Sequence, residues 1–148
     1  MRNLVNGVIA GAVGTTALNI ASYLDMAVRG RSGSSTPEQS VERLAGATGV
    51  DLGTGERAEN RKTGLGALLG YGVGLAAGAG YGLLAGGRRV PWPAGALAFT
   101  VLAMVGSNAP MTLLGVTDPR RWSAADWVSD VVPHLAYGMA AASVYGRI

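Results

Sequence analysis

The sequence predicts an all-α integral membrane protein, folded as a four-helix transmembrane bundle with glycine-zipper packing. Of its 148 residues, 49% are hydrophobic and only 14% are charged, against about 25% charged in an average soluble protein. The charges cluster between four apolar runs, each long enough to cross a bilayer as a helix. One of these runs, residues 63–87, has no acidic or basic residue and places glycine at every fourth position: Gly66, Gly70, Gly74, Gly78, Gly82 and Gly86.

We expect this glycine-spaced run to be the packing centre. Glycine costs a helix in water roughly 0.8–1.0 kcal/mol relative to alanine. In hydrocarbon, however, a long apolar run must be helical to satisfy its backbone, and small residues four apart let helices approach closely. The row drifts about 40° per step, and Gly64, Gly72 and Gly80 offer a second small face. The run should therefore meet at least two helices, from its own chain or from neighbouring copies. A flexible linker is the alternative, but linkers are polar.

The first apolar run predicts a helix over residues 4–28, too long for the core of a signal peptide. Gly7 and Gly11 give it a small face for helix packing. Thr15, Asn19 and Ser22 fall on one side at helical spacing, so we expect that side to face another helix rather than lipid.

Residues 30–62 predict a polar loop that contains a short helix at about 37–45. Thr36 is a candidate cap for this helix, Pro37 suits its first turn, and Gly46 is a candidate stop. The glycine-spaced helix then follows over residues 63–87.

The third and fourth runs predict helices over residues 92–116 and 123–146. Trp92 suits the headgroup zone, Pro110 interrupts the third helix, and Ser123 followed by Asp126 is a capping signature for the fourth. Short connections predict antiparallel neighbours. The chain is therefore expected to form one transmembrane domain, residues 1–148, and the excess of Arg and Lys favours cytoplasmic connections after helices one and three.

The polar residues of the fourth helix are the candidate functional group. Asp126, Asp130, His134 and Tyr137 fall within an arc of about 80°, and His134 lies about 16 Å down the helix from its start, near mid-membrane. With Asn108 on the third helix they form a predicted polar intramembrane cluster. Ionisable groups at such positions face the bundle interior or a wet cavity.

Several interpretations of this cluster stay open. Asp126 is expected to complete the helix cap with Ser123 and to balance Arg120 or Arg121. His134 has a structural interpretation, as a neutral side chain bonded to Asn108 or Thr112, and a functional one, as part of a proton or cation path with Asp130.

Composition excludes several other function classes. There is no cysteine and only one histidine, which removes disulfides, thiol catalysis and the usual zinc ligand sets. No nucleophile and base have suitable spacing, so we expect no catalytic residue, no metal and no cofactor, and we do not expect an enzyme. The net charge of +3 comes from arginines beside apolar runs, which predicts membrane lipids and not nucleic acid as partners.

Three short motifs carry a family likeness: GAVGTTALN in the first helix, SNAPMT in the third, and HLAYG from His134 onwards. In these motifs and in the order of helices, the chain resembles small four-helix bacterial inner-membrane proteins of unknown function, the YagU-like group. The resemblance implies four spans in a bacterial inner membrane and supplies no activity. We therefore expect a structural or binding component of that membrane that self-associates or joins a larger complex. The alternative is a homo-oligomeric channel or transporter for protons or small ions.

Overall fold

The computed structural model describes residues 1–148 and is all-α, with no strands. Five helices follow one another along the chain: α1 (Arg2–Arg29), α2 (Thr36–Thr48), α3 (Gly55–Ala85), α4 (Trp92–Leu113) and α5 (Ala124–Tyr145). A short 3-10 turn, Pro119–Arg121, lies between α4 and α5.

The four long helices form a ring in which each packs against two neighbours. Helix α1 contacts α3 and α5, α4 contacts the same two helices, and α2 lies against α3. Neighbours in the ring are antiparallel, as shown by two separated pairs for each contact: Asn3–Gly82 and Thr15–Gly74, Asn6–Ile148 and Arg29–Ser129, Trp92–Ser143 and Asn108–Asp130, and Tyr81–Phe99 and Val73–Gly106. The ring has a termini end, with Met1 and Trp92, and an α2 end, with Arg29 and Leu113.

Glycine sets the distance between α1 and α3. Gly7 and Gly11 face Gly74, Gly78 and Gly82 so closely that a Cβ built on Gly78 would overlap the Gly7 carbonyl and lie 2.7 Å from the Gly11 Cα. The obstructing atoms are backbone, which a rotamer change cannot move. Backbone therefore meets backbone at this crossing.

Aromatic rings and alanines fill the centre of the ring. Tyr81 of α3 stacks on Phe99 of α4 with ring centroids 3.8 Å apart, and Tyr137 of α5 meets Phe99 edge-on. Gly14 of α1 makes room for Tyr137, because a Cβ there would lie 2.7 Å from the tyrosine ring. The remaining buried hydrophobic side chains of this core are alanines.

The other glycines of the row have different surroundings. Gly66 lies against Pro37 of α2, whereas Gly70 has no neighbouring atom within reach of a Cβ. Gly86 ends α3 in the left-handed conformation, with φ at 57°, where glycine has little steric cost. The second small face, Gly64, Gly72 and Gly80, is also unoccupied.

Several predicted boundaries were wrong. The polar loop is shorter than residues 30–62, because α3 begins at Gly55 with Thr54 as its N-cap residue. The added turns contain helix-forming Glu, Arg and Ala, and Lys62 pairs with Glu59 at 2.7 Å. They carry charges, so hydropathy alone did not reveal them.

The short helix α2 is likewise longer than residues 37–45. It has Ser35 at its N-cap position rather than Thr36, and the left-handed glycine that ends it is Gly49 rather than Gly46. Gln39 bonds the Ser35 hydroxyl at 2.8 Å.

The end of α4 also differs from the prediction. The helix ends at Leu113, ahead of the predicted residue 116, and Gly115 follows at a φ of 67°.

By length and composition, α1, α3 and α4 are long and apolar enough to cross a membrane. Helix α5 has 22 residues but does not join this set, because its sequence includes Asp126, Asp130 and His134.

Candidate functional site

Four polar side chains meet between α4 and α5, about halfway along α5. Asn108 donates its amide to the Asp130 carboxylate at 3.0 Å, and the Ser107 hydroxyl lies 3.3 Å from Nε2 of His134. Asp130 and His134 are one helical turn apart, with Nδ1 of His134 3.5 Å from the Asp130 carboxylate. We call Ser107, Asn108, Asp130 and His134 the α4–α5 polar cluster.

The contacts of His134 define its tautomer when it is neutral. Nδ1 lies 2.7 Å from the backbone carbonyl of Asp130, and a carbonyl can only accept, so Nδ1 carries the proton. Nε2 is then the acceptor for the Ser107 hydroxyl. That hydroxyl also lies within hydrogen-bond distance of two carbonyls of its own helix, those of Ala103 and Met104. The serine is thus shared between its own helix and the histidine.

The polar cluster is largely shielded. The His134 side chain is 10% exposed and that of Asp130 is 19% exposed. On the side towards the α2 end, Arg29 of α1 donates to the Ser129 hydroxyl at 3.2 Å and also pairs with Asp25. An arginine from a third helix therefore contacts α5 at the residue that precedes Asp130.

Beyond the cluster, towards the termini end, the interior is closed. Tyr137 lies one turn further along α5, is fully buried, and donates its hydroxyl to the Gly74 carbonyl of α3 at 2.6 Å. Phe99, also fully buried, packs against it. These two aromatic side chains lie across the centre of the ring.

The predicted cluster is therefore brought together only in part. Asp130, His134 and Asn108 meet, but Asn108 bonds Asp130 rather than His134, and Thr112 bonds the carbonyl of Asn108. Tyr137 bonds Gly74 across the ring.

Asp126 is separate from the cluster and completes a capping box with Ser123, which confirms the capping prediction. The expectation that Asp126 balances Arg120 or Arg121 was wrong, because Asp126 forms an ion pair with neither arginine. Arg120 binds Asp118, two residues away in the same turn, at 2.9 Å, because that carboxylate is within reach of both guanidinium and backbone nitrogens.

Sequence reasoning missed Ser107. The residue lies beside Asn108, but whether it faces His134 depends on the register of α4 against α5. Gly138 sets that register, since a Cβ there would overlap Thr100 and the Ala96 carbonyl. The motif HLAYG contains this glycine, so the sequence indicated close packing at Gly138. It did not indicate which helix packs there.

The cluster can accept, hold or release a proton through one imidazole and one carboxylate. No group of three or more His, Cys, Asp or Glu side chains is placed to hold a metal ion. Comparison of the chain with protein-family models, with curated proteins and with solved structures finds no match.

Proposed function

We propose that the protein is a small multi-pass component of the bacterial inner membrane with a structural or binding role, and that it associates with further copies of itself. The observation that carries this proposal is the distribution of apolar side chains. The only large hydrophobic side chains buried inside the protein are Val41, Tyr81, Phe99 and Tyr137. Leucines and valines of every long helix are exposed instead, an arrangement that lipid stabilises and water does not.

The positions of the tryptophans fit a membrane with a hydrocarbon core of ordinary thickness. Trp92 lies at the termini end, bonded to Ser143 at 3.0 Å, and Trp122 and Trp127 pack together near the α2 end. Helix α4 between them has 22 residues, or about 33 Å of helix, close to the roughly 30 Å hydrocarbon core. Tryptophan favours both boundaries of that core.

Helix α5 fits the proposal as a fourth span, although its mean hydropathy is low. Its outer face is apolar, with Val128, Val132, Leu135 and Met139 exposed at spacings of four, three and four residues. Asp130 and His134, which lower the mean, are shielded against α4. Hydropathy averages these inward polar groups with the outer face, so it underrates a helix whose polar groups are covered.

Self-association is the second part of the proposal. Gly64 and Gly72 leave part of the outer surface of α3 bare of side chains, with nothing within 4 Å of a built Cβ. Leu68, which is 68% exposed, adds an apolar contact near them. In lipid, helices associate by close backbone approach at small residues, and a second copy of this chain offers the same surface.

The runner-up function is a channel or transporter for protons or small ions. The α4–α5 polar cluster favours it, because titratable groups within a span are costly and commonly functional. Tyr137 and Phe99 argue against a path through one chain, since they fill the centre next to the cluster. Such a path would have to run between copies.

A proteoliposome flux assay distinguishes the structural or binding role from the channel or transporter role. Purified protein in sealed vesicles with an internal pH dye is expected to show no proton or alkali-ion flux above empty vesicles at any pH from 5 to 8. His134→Ala and Tyr137→Phe are expected to leave that baseline unchanged. Flux that His134→Ala abolishes and Leu135→Ala retains would overturn the structural role.

Self-association has its own test. Native mass measurement in mild detergent is expected to give a multimer for the wild-type chain. Gly72→Leu is expected to give a monomer with normal helix content. Gly70→Leu, also in an open position but about 200° around the helix from Gly72, is the matched control. A wild-type monomer over a hundredfold range of concentration would overturn self-association.

A further inference from the structure

A shallow cleft of about 550 Å³ lies at the turn between α4 and α5. Its lining includes Thr117, Asp118, Arg120, Arg121 and Trp122, and none of these residues belongs to the α4–α5 polar cluster. The cleft is at the α2 end, next to the exposed start of α5. If the protein spans a membrane as proposed above, this cleft lies at the level of the lipid headgroups.

The two arginines of this turn cleft have different surroundings. Arg120 is held by Asp118, whose carboxylate accepts from Nε at 2.9 Å and from Nη2 at 3.1 Å. This pairing holds the pKa of the Asp118 carboxyl below its usual range, so the acid stays ionised and balances Arg120. Arg121 has no ion pair and no side-chain hydrogen bond. The turn cleft thus has one uncompensated guanidinium.

Other residues that line the same cleft offer further hydrogen-bond donors. The Thr117 hydroxyl accepts from the indole N–H of Trp122 at 2.8 Å, which leaves its own proton free to donate outward. The backbone N–H groups of Thr117 and Asp118 donate to no protein acceptor, although the neighbouring amides of Arg120, Arg121 and Trp122 do. Free amides, a hydroxyl and a guanidinium form a donor set suited to phosphate oxygens.

The surroundings favour a lipid over a soluble phosphate. Trp122 packs edge-on against Trp127 with centroids 4.9 Å apart, which forms an aromatic wall of the kind found at the headgroup boundary. Exposed Leu113 and Val128 lie on the two helices that lead away from the turn. An acyl chain anchored by its phosphate would run along these side chains.

We propose that the turn cleft binds the phosphate headgroup of an anionic phospholipid, with Arg121 as the residue that contacts the phosphate. Arg120 is the positioning residue, since it holds Asp118 and with it the shape of the turn. The carboxylate of Asp126 is engaged in the helix cap, where its Oδ2 accepts from the backbone N–H and the hydroxyl of Ser123. This inference rests on the proposed membrane location.

The test is native mass measurement of the full chain released from vesicles of equal parts phosphatidylglycerol and phosphatidylcholine. We expect one phosphatidylglycerol to be retained preferentially. Arg121→Gln should lower that preference about five-fold, since one arginine at an anionic surface is worth roughly 1 kcal/mol. Arg89→Gln is the matched control, because it removes an exposed arginine at the termini end and leaves the same net charge. Arg121→Lys keeps the charge and should retain most of the preference.

Each remaining outcome has a separate meaning. If Arg121→Gln and Arg89→Gln retain phosphatidylglycerol equally, or if the wild-type chain shows no preference between the two lipids, the inference is wrong. The membrane proposal still stands in either case, provided that the protein inserts into the vesicles normally. Failure of the wild-type chain to enter vesicles at all overturns the membrane proposal itself. If millimolar inorganic phosphate displaces the bound lipid, the site recognises free phosphate and the lipid assignment is wrong.

Discussion

Replacement of Gly78 by alanine is the sharpest test of how α1 and α3 are held together. The added Cβ would overlap the Gly7 carbonyl and lie 2.7 Å from the Gly11 Cα, whereas ordinary contacts begin at about 3.4 Å. Because only backbone obstructs it, α1 must move outward by about 1 Å. A gap of that size forfeits about a quarter to a half of the dispersion energy across the crossing. Overpacking of this kind typically costs 1–3 kcal/mol, and we expect the upper half of that range.

The control is Gly70→Ala on the same helix, because Gly72 belongs to the proposed self-association surface. Nothing lies within 4 Å of a Cβ built there, and alanine has the higher helix propensity. Its stability should be unchanged or slightly raised. The assay is unfolding in detergent followed by circular dichroism. At about 2–4 °C per kcal/mol for a chain of this size, Gly78→Ala should lower the midpoint by about 4–12 °C relative to Gly70→Ala.

A double substitution tests the sign of the coupling energy between Gly7 and Gly78. A Cβ on Gly7 would overlap the Gly78 carbonyl and lie 3.2 Å from the Gly82 Cα, so Gly7→Ala pushes the same two helices apart. Once one substitution has opened the crossing, the second meets less resistance. The double variant should therefore lose less stability than the sum of the two single losses. Equal midpoints for Gly78→Ala and Gly70→Ala, or full additivity with Gly7→Ala, would refute the backbone-contact argument.

Two further predictions concern individual side chains. Tyr137→Phe removes the hydroxyl that donates to the Gly74 carbonyl and should cost about 1 kcal/mol of unfolding free energy; Tyr145→Phe, which removes no protein hydrogen bond, should cost less, and equal losses would contradict the assignment. Arg120→Gln should raise the pKa of the Asp118 carboxyl towards its ordinary value, because the arginine is the main cause of its lowered pKa. In the wild-type chain this pair stabilises the fold above the ordinary aspartate pKa and loses that effect as pH falls through the lowered value. Carboxyl carbon chemical shifts during a pH titration measure both statements.

The sequence allowed the all-α class and the long helices to be predicted, because hydropathy and glycine spacing are local patterns. It also allowed the capping box of α5 to be predicted, since Ser123 and Asp126 are three residues apart and need no partner elsewhere. The early start of α3 at Gly55 was not predicted, because its first turns are charged and charged residues occur in loops and helices alike. Local patterns thus fixed the kind of element more reliably than its ends.

The candidate site was less predictable, for a different reason. That Asp130, His134 and Asn108 would lie on facing helices followed from spacing and antiparallel order. Which atoms meet depends on register, and a shift of one residue along α4 decides between Ser107 and Asn108 as the partner of His134. The long-range contact at Gly138 sets that register, and one sequence without its partner helix does not specify it.

The packing that makes the ring tight also limits where a ligand can bind. Alanine and glycine bring the helices close, and Tyr137 and Phe99 fill most of the space that remains at the centre. A chain that encloses a substrate needs side chains held apart around a cavity, whereas here backbone meets backbone at Gly7 and Gly78. The surfaces left for binding are the outer sides of the helices and the two ends of the ring. On this reasoning, variants that widen the centre should alter stability and leave binding unchanged, while Arg121→Gln should alter lipid binding and leave stability unchanged.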